Sequence, residues 1–312
     1  AGGGGSLAVG STIGIGSSAL TALTSGGYNL AIGHQAGLLV TDGSSNTLIG
    51  YGVADGMRSN SSRNTALGAG AFGGTHATAD SDDCVAIGAY TMNQACNAVT
   101  GTVAVGSYAL NELTTGQRNL AIGYKALQDM DTGSDNTAIG YHSMLDAANA
   151  GFDNNVAIGN YTMDEAVDVA ASSNVAVGYS AMSGVLTAAA DDNVAVGSNA
   201  LLALTSGANN TCIGSGSGDA LAAANDCVAV GYSSLSAIAT QAGTVSIGSG
   251  SLINLSSGVG NTCVGYQTGT GLTSGARNTV VGYQAMGDVD ANDTPNSADN
   301  VFIGFTAGGG TW

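Results

Sequence analysis

Basic residues are almost missing from this chain. Arg58, Arg63, Arg118, Lys125 and Arg277 are the only five in 312 residues, against 22 acidic ones. The formal net charge of −17 excludes a phosphate-binding surface, because nucleic-acid recognition needs clustered Lys and Arg. Proline occurs once, aromatics make up 5% and charged residues 9%, where a globular domain carries about 25% charge. Low charge does not here mean a membrane protein. No apolar run reaches the roughly 18 residues of a spanning helix, so no membrane insertion is expected. The opening residues carry no basic stretch of the signal-peptide kind. With no initiator Met, an upstream part is expected to have been removed or left out.

Motifs of catalysis are scarce as well. His34, His76 and His142 stand in unrelated contexts, and Glu112 and Glu165 are the only glutamates. A glycan-cleaving site would need two acids across one groove. Neither a nucleophile elbow nor a zinc-binding helix motif is present. The run from Gly214 to Gly218 mimics a phosphate loop without its Lys. No enzyme is expected. Five cysteines, Cys84, Cys96, Cys212, Cys227 and Cys263, include no C-x-x-C pair, which argues against zinc. They read as small buried thiols, with a Cys84–Cys96 disulfide as the other reading.

What is abundant is glycine, 51 residues of it, and its placement is periodic. Taking Gly33 as anchor, equivalent glycines recur from Gly16 to Gly304 in 17 units, spaced 17 to 22 residues apart with a mean of 18. From Gly197 to Gly282 the spacing is always 17. The residue before the anchor is Ile or Val, except Leu67; two before is usually Ala; three before is Val, Thr, Leu or Ile. Four before is an Asn column: Asn29, Asn46, Asn64, Asn119, Asn136, Asn155, Asn174, Asn193, Asn210, Asn261, Asn278 and Asn300. Thr12, Thr102, Thr244, Cys84 and Cys227 fill the remaining slots.

Such units are too short for helices, and β-branched residues ending at Gly read as strands. Each unit offers two short β-compatible pieces, and stacked units set like above like about 4.8 Å apart. The predicted fold is all-β: a parallel β-solenoid of about 17 coils of roughly 18 residues, extending on the order of 80 Å. Residues 1–10 form a Gly-rich lead-in with a partial repeat, residues 11–308 the solenoid, and residues 309–312 a tail. Alternation puts Ile/Val and Thr/Val on one strand face and Ala and Asn on the other. Neither face is convincingly polar, and a coil has one inside, so the second face is expected to meet other copies of the chain. Each coil has a thin expected core of Ala, Val and Ile. An intertwined or side-by-side homotrimer is the natural closed arrangement.

Two families of surface fibre resemble this pattern. Asn136-Thr137-Ala138-Ile139-Gly140-Tyr141 and Asn278 to Met286 are similar to the N-T-A-I-G-Y-Q-A-L arrays of phage tail fibres and tailspikes. The head repeats of trimeric autotransporter adhesins, S-V-A-I-G units in a left-handed parallel β-roll, are also similar, with a shorter unit. The resemblance covers Thr12 to Gly308. It implies a left-handed β-roll and a structural shaft that mediates host attachment through exposed loops to a surface receptor or glycan. The expected location is a virion tail fibre, or else the exterior or surface of a cell. A glycan-degrading tailspike is a further alternative. The family offers no catalytic residues.

Three polar features are candidate sites. The Asn column suits a coil-to-coil amide ladder, with recognition of sugar hydroxyls as the other reading. Asp129, Asp131 and Asp135 alternate around Gly133, a spacing of oxygen ligands that suits Ca²⁺ if any cofactor is bound; an ordinary acidic turn is the alternative. Asp80 to Asp83 and Asp288 to Asp293 stand on the same footing. Finally, Tyr51, Tyr124, Tyr141, Tyr179, Tyr232, Tyr266 and Tyr283 follow the anchor directly, and are expected either at chain-to-chain seams or as a stripe for sugar rings.

Overall fold

The computed structural model describes residues 10–57, 60–74, 80–147, 151–165, 171–186, 190–237, 242–287 and 298–309. Within them, all regular structure is β and every strand is three residues long. Two compact units divide the chain, Ala1–Asn154 and Asn155–Trp312. The first holds β1 (Ile13–Ile15), β2 (Leu30–Ile32), β3 (Thr47–Ile49), β4 (Thr65–Leu67), β5 (Val85–Ile87), β6 (Val103–Val105), β7 (Leu120–Ile122) and β8 (Thr137–Ile139). The second holds β9 (Val156–Ile158), β10 (Val175–Val177), β11 (Val194–Val196), β12 (Thr211–Ile213), β13 (Val228–Val230), β14 (Val245–Ile247), β15 (Thr262–Val264), β16 (Thr279–Val281) and β17 (Val301–Ile303).

Inside each unit consecutive strands pair in parallel and in register, so each is a parallel β-solenoid. Leu120 lies against Thr137, Ala121 against Ala138 and Ile122 against Ile139 in the first. Val175, Ala176 and Val177 meet Val194, Ala195 and Val196 in the second. Register holds although coil length varies, because a one-residue slip would turn the buried centre of a strand outward.

The anchor glycine is dictated by sterics. Its φ lies between +132° and +151° at every repeat, a region that side chains rarely adopt. At Gly123 a Cβ would stand 2.2 Å from the Gly140 carbonyl oxygen of the next coil. Only hydrogen fits between stacked coils there.

One expectation needs correction. The segment after the anchor is not a second strand. The residues two and four places beyond the glycine are left-handed in every repeat, as at Lys125 (φ 59°) and Leu127 (φ 52°). So is the residue before the Asn column, as at Arg118 (φ 57°). An extended strand cannot hold such residues, so the coil turns corners instead. Their amides still bind between coils: Lys125 N–H donates to the Ser107 carbonyl at 3.0 Å, Leu127 N–H to that of Ser143 at 3.0 Å, and Arg118 N–H to that of Thr100 at 3.0 Å. Left-handed geometry costs an L-residue about 1–2 kcal/mol, and a saturated ladder of coil-to-coil bonds offsets it.

The core also differs from expectation. Ile and the flanking strand Val do not fill it; the middle residue of β2 to β16 does, usually Ala, together with small residues and a Leu, Met or Val from the turns. Ala121, Ala126 and Leu127 are fully buried, as are Met144, Met163 and Met182. The β-branched residues flanking that centre face outward and stay partly exposed. An interior this narrow accepts only small side chains opposite large ones. Where the turn supplies Gly in place of Leu, a larger residue fills the hole: a Cβ on Gly218 would lie 2.6 Å from Cys212 Sγ, one on Gly269 2.9 Å from Cys263 Sγ, and one on Gly37 2.9 Å from Leu48 Cδ1. Two cysteines are thus explained as volume.

Candidate interaction surfaces

The Asn column points inward. Asn29, Asn46, Asn64, Asn119, Asn136, Asn155, Asn174, Asn193, Asn210, Asn261 and Asn278 are at most 2% exposed. Each amide works in two directions. Asn174 Oδ1 accepts from the backbone N–H of Asn193 at 3.0 Å and from its Nδ2 at 3.1 Å, while Asn174 Nδ2 donates to Asn155 Oδ1 at 3.2 Å and to the Ala190 carbonyl at 2.7 Å. The same pattern joins Asn29 to Asn46 and Asn119 to Asn136. Asn300, near the end of the second unit, is only partly buried but still donates to Asn278 at 3.0 Å. No sugar reaches the buried members, so the column is scaffold. It breaks twice, at Cys84–Thr102 and Cys227–Thr244, where the slot loses its amide. Cys84 N–H and Cys227 N–H still donate to the Asn of the previous coil, at 2.9 and 3.1 Å.

All five cysteines are free and buried, so the Cys84–Cys96 disulfide is absent. Burial pushes the Cys84 thiol up to about 11 and those of Cys212 and Cys263 up to about 12, and raises Cys96 further still. Such thiols are not nucleophiles at neutral pH.

The three candidate calcium ligands are engaged separately. Asp135 forms a bidentate pair with Arg118, 2.6 and 2.8 Å. Asp131 accepts from the Thr114 hydroxyl, and Asp129 from Gln128 Nε2 at 2.8 Å. Among the described residues no three His, Cys, Asp or Glu gather as a metal site. Asp82 and Asp83 pair with Arg63, and Asp80 Oδ1 accepts the Asn60 N–H. The run from Asp288 to Asp293 lies outside the described residues.

Two outward surfaces remain. The first is the strand face, a ribbon of Ile, Val, Leu and Thr along each unit. Ile122, Ile158 and Ile213 are 37%, 39% and 41% exposed, large values for β-branched apolar residues repeated at every coil. The second is the aromatic column, which is stacked. Tyr124 and Tyr141 lie 5.5 Å apart at 16°, Tyr266 and Tyr283 5.2 Å at 20°, and Tyr283 and Phe305 5.5 Å at 13°. Tyr90 and Tyr108, two places after their anchors, join the column at 5.4 Å. Lys125 Nζ sits 5.7 Å from the Tyr124 ring centre. Within a stack each ring face is covered by its neighbour, which leaves edges rather than faces for a ligand.

Sequence reasoning missed a third feature. A cleft of about 330 Å³ opens in the first unit, lined by Tyr51, Gly52, Asp55, Ala69, Gly70, Gly73, Tyr90 and Asn93. The signal was the Ala69-Gly70 pair and Gly73, side-chain-poor positions between two tyrosine-bearing coils. No family model, curated protein or solved structure matches the chain.

Proposed function

We propose that the chain is the structural shaft of an extracellular attachment fibre, of the kind that viral tail fibres use to hold a host surface, and that it works as a parallel homotrimer. The head of a trimeric cell-surface adhesin is the second reading, favoured by the likeness to S-V-A-I-G of units such as Val85-Ala86-Ile87-Gly88 and Val156-Ala157-Ile158-Gly159. The observation that carries the proposal is the outward ribbon. The interior Asn amides are consumed by scaffold, while a row of partly exposed Ile and Val, with Leu67 in one coil, repeats once per coil. Only an object with the same axial repeat can cover such a row residue for residue, and other copies of the chain have that repeat. Obligate interfaces are apolar in this way. The acidic turns keep separate fibres apart in solution.

Sedimentation equilibrium of the intact chain tests the assembly, with three chain masses expected. A paired variant, Ile122→Lys with Ile139→Lys, places charge on the ribbon and is expected to sediment as one. A wild-type chain that runs as one mass overturns the trimer. Binding of the labelled trimer to cell envelopes tests attachment; a trimer that binds no surface from a broad panel overturns that part.

A further inference from the structure

The aromatic column of the first unit has a gap one coil wide. The coil of β3 supplies Tyr51 and Asp55 to the outside, and the coil of β5 supplies Tyr90 and Asn93. Between them, the coil of β4 offers Ala69, Gly70 and Gly73 at the corresponding places. Its backbone continues unbroken beneath: Gly70 N–H donates to the Tyr51 carbonyl and Tyr90 N–H to the Ala69 carbonyl, both at 2.9 Å. The coil is therefore present and only its outward side chains are missing. Parallel coils stand about 4.8 Å apart, so the two tyrosine-bearing coils are separated by about 10 Å along the stack.

Each bounding ring has a partner on its far side. Tyr51 stacks on His34 at 5.2 Å and 9°, and Tyr90 on Tyr108 at 5.4 Å and 23°. Both rings line the cleft, and Tyr90 Cδ1 and Cε1 lie 3.0 and 3.1 Å from where a Cβ on Gly70 would stand. At the base, two polar groups converge over Gly73. The point where its Cβ would stand lies 2.5 Å from Asn93 Oδ1 and 3.2 Å from Asp55 Oδ1. Burial raises the Asp55 carboxyl above its usual value although the Gly56 and Asp55 amides bond to it, so a further donor would favour its charged form. Asp55 repels phosphates and carboxylates, as does the net charge of −17. What fits is a neutral ring with apolar faces and a hydroxylated edge.

We propose that this cleft binds one pyranose ring of a neutral glycan, its C–H faces between Tyr51 and Tyr90 and adjacent hydroxyls donating to Asp55 and Asn93. Volume agrees, since small-ligand sites begin near 300 Å³. Aromatic platforms with an amide and a carboxylate at the edge supply both kinds of contact a sugar needs. The proposal deepens the attachment reading and depends on it for its biological use, though the binding itself is a solution property.

The test uses the full chain and the methyl pyranosides of glucose, galactose, mannose and N-acetylglucosamine, read by saturation-transfer NMR and titration calorimetry. At least one is expected to bind saturably. Ala69→Tyr puts into the gap the residue that seven other coils carry at that place, and is expected to abolish binding with an unchanged melting curve. Asp55→Ala is expected to weaken binding at least tenfold, and Tyr232→Ala, in the second unit, to leave it unchanged. Absence of saturable binding to all four sugars overturns the proposal. So does undiminished binding by both Ala69→Tyr and Asp55→Ala, or saturable binding of tetramethylammonium in preference to every sugar. A trimer that attaches to cells but ignores these sugars removes the cleft and leaves the shaft; sugar binding by a chain that attaches to nothing does the reverse.

Discussion

Two ladders climb the same coils, one inside and one outside, and they are built to different tolerances. Inside the second unit Asn155, Asn174, Asn193 and Asn210 pass one amide chain through four coils without a gap. Outside, the aromatic column stacks at Tyr266, Tyr283 and Phe305, yet the coils of β11 and β12 carry Ser198 and Ser215 in its place. The difference is water. A missing partner in the buried ladder removes a bond that water cannot replace, which costs about 1–3 kcal/mol. A missing ring outside is replaced by solvent at little cost. Regularity marks what the fold requires, and irregularity marks where the surface is free to vary.

The anchor glycine underlies both ladders, and its replacement is expected to have the largest effect. Gly123→Val forces a side chain to φ +139° and drives it into the Gly140 carbonyl. Backbone strain and overpacking together are expected to cost about 2–6 kcal/mol. Chemical denaturation would show this as a lost or strongly shifted transition, and a wild-type midpoint would refute the steric account.

Second in size is the inner ladder itself. Asn174→Ala removes the acceptor of two Asn193 donors and is expected to cost about 2–3 kcal/mol. Asn300→Ala, partly buried near the end of its stack, is expected to cost well under half of that. Equal losses at the two sites would mean that the ladder adds nothing beyond local bonds.

The smallest effects belong to the outer charges. Arg63, Arg118 and Arg277 hold Asp83, Asp135 and Asp299 below the usual carboxylate range. Their contribution is therefore present above pH about 4, the unfolded value, and is lost as pH falls through the folded values. These pairs are exposed and salt-screened, so Arg118→Ala is expected to barely move the melting temperature at pH 7. Burial shifts Asp219 the other way, and its Oδ1 has no hydrogen-bond partner. Its favourable contribution is complete below pH about 4 and declines as pH rises through its raised value. Asp219→Asn is accordingly expected to raise the melting temperature at pH 7 and not at pH 3.5.

Much of this was legible in the repeat. Gly-anchored spacing fixed the coils, Ile/Val before Gly fixed the strands, and Asn with Thr and Cys substitutes announced a size-limited slot. The inside of the coil was harder to read. In Asn119-Leu120-Ala121-Ile122 the largest apolar residues are the ones that face out, against the usual rule that apolar size marks the core. The corner residues were hidden for a related reason. Leu127 and Met144 are poor candidates for left-handed geometry by local preference, and only coil-to-coil bonding makes them adopt it. The cleft had no motif at all, because it consists of side chains that one coil leaves out.

The in-register pairing of neighbouring coils has a further consequence. From Gly197 to Gly282 every coil has the same length, and among the described residues the coil-to-coil backbone bonds recur at equivalent positions. Cutting out or duplicating one 17-residue unit there would keep the backbone register, although side-chain partners differ from coil to coil, as at Cys227 and Thr244. Gene-level slippage by whole units would thus preserve the backbone ladder, and the repeat number becomes an adjustable ruler by which a lineage can change its reach.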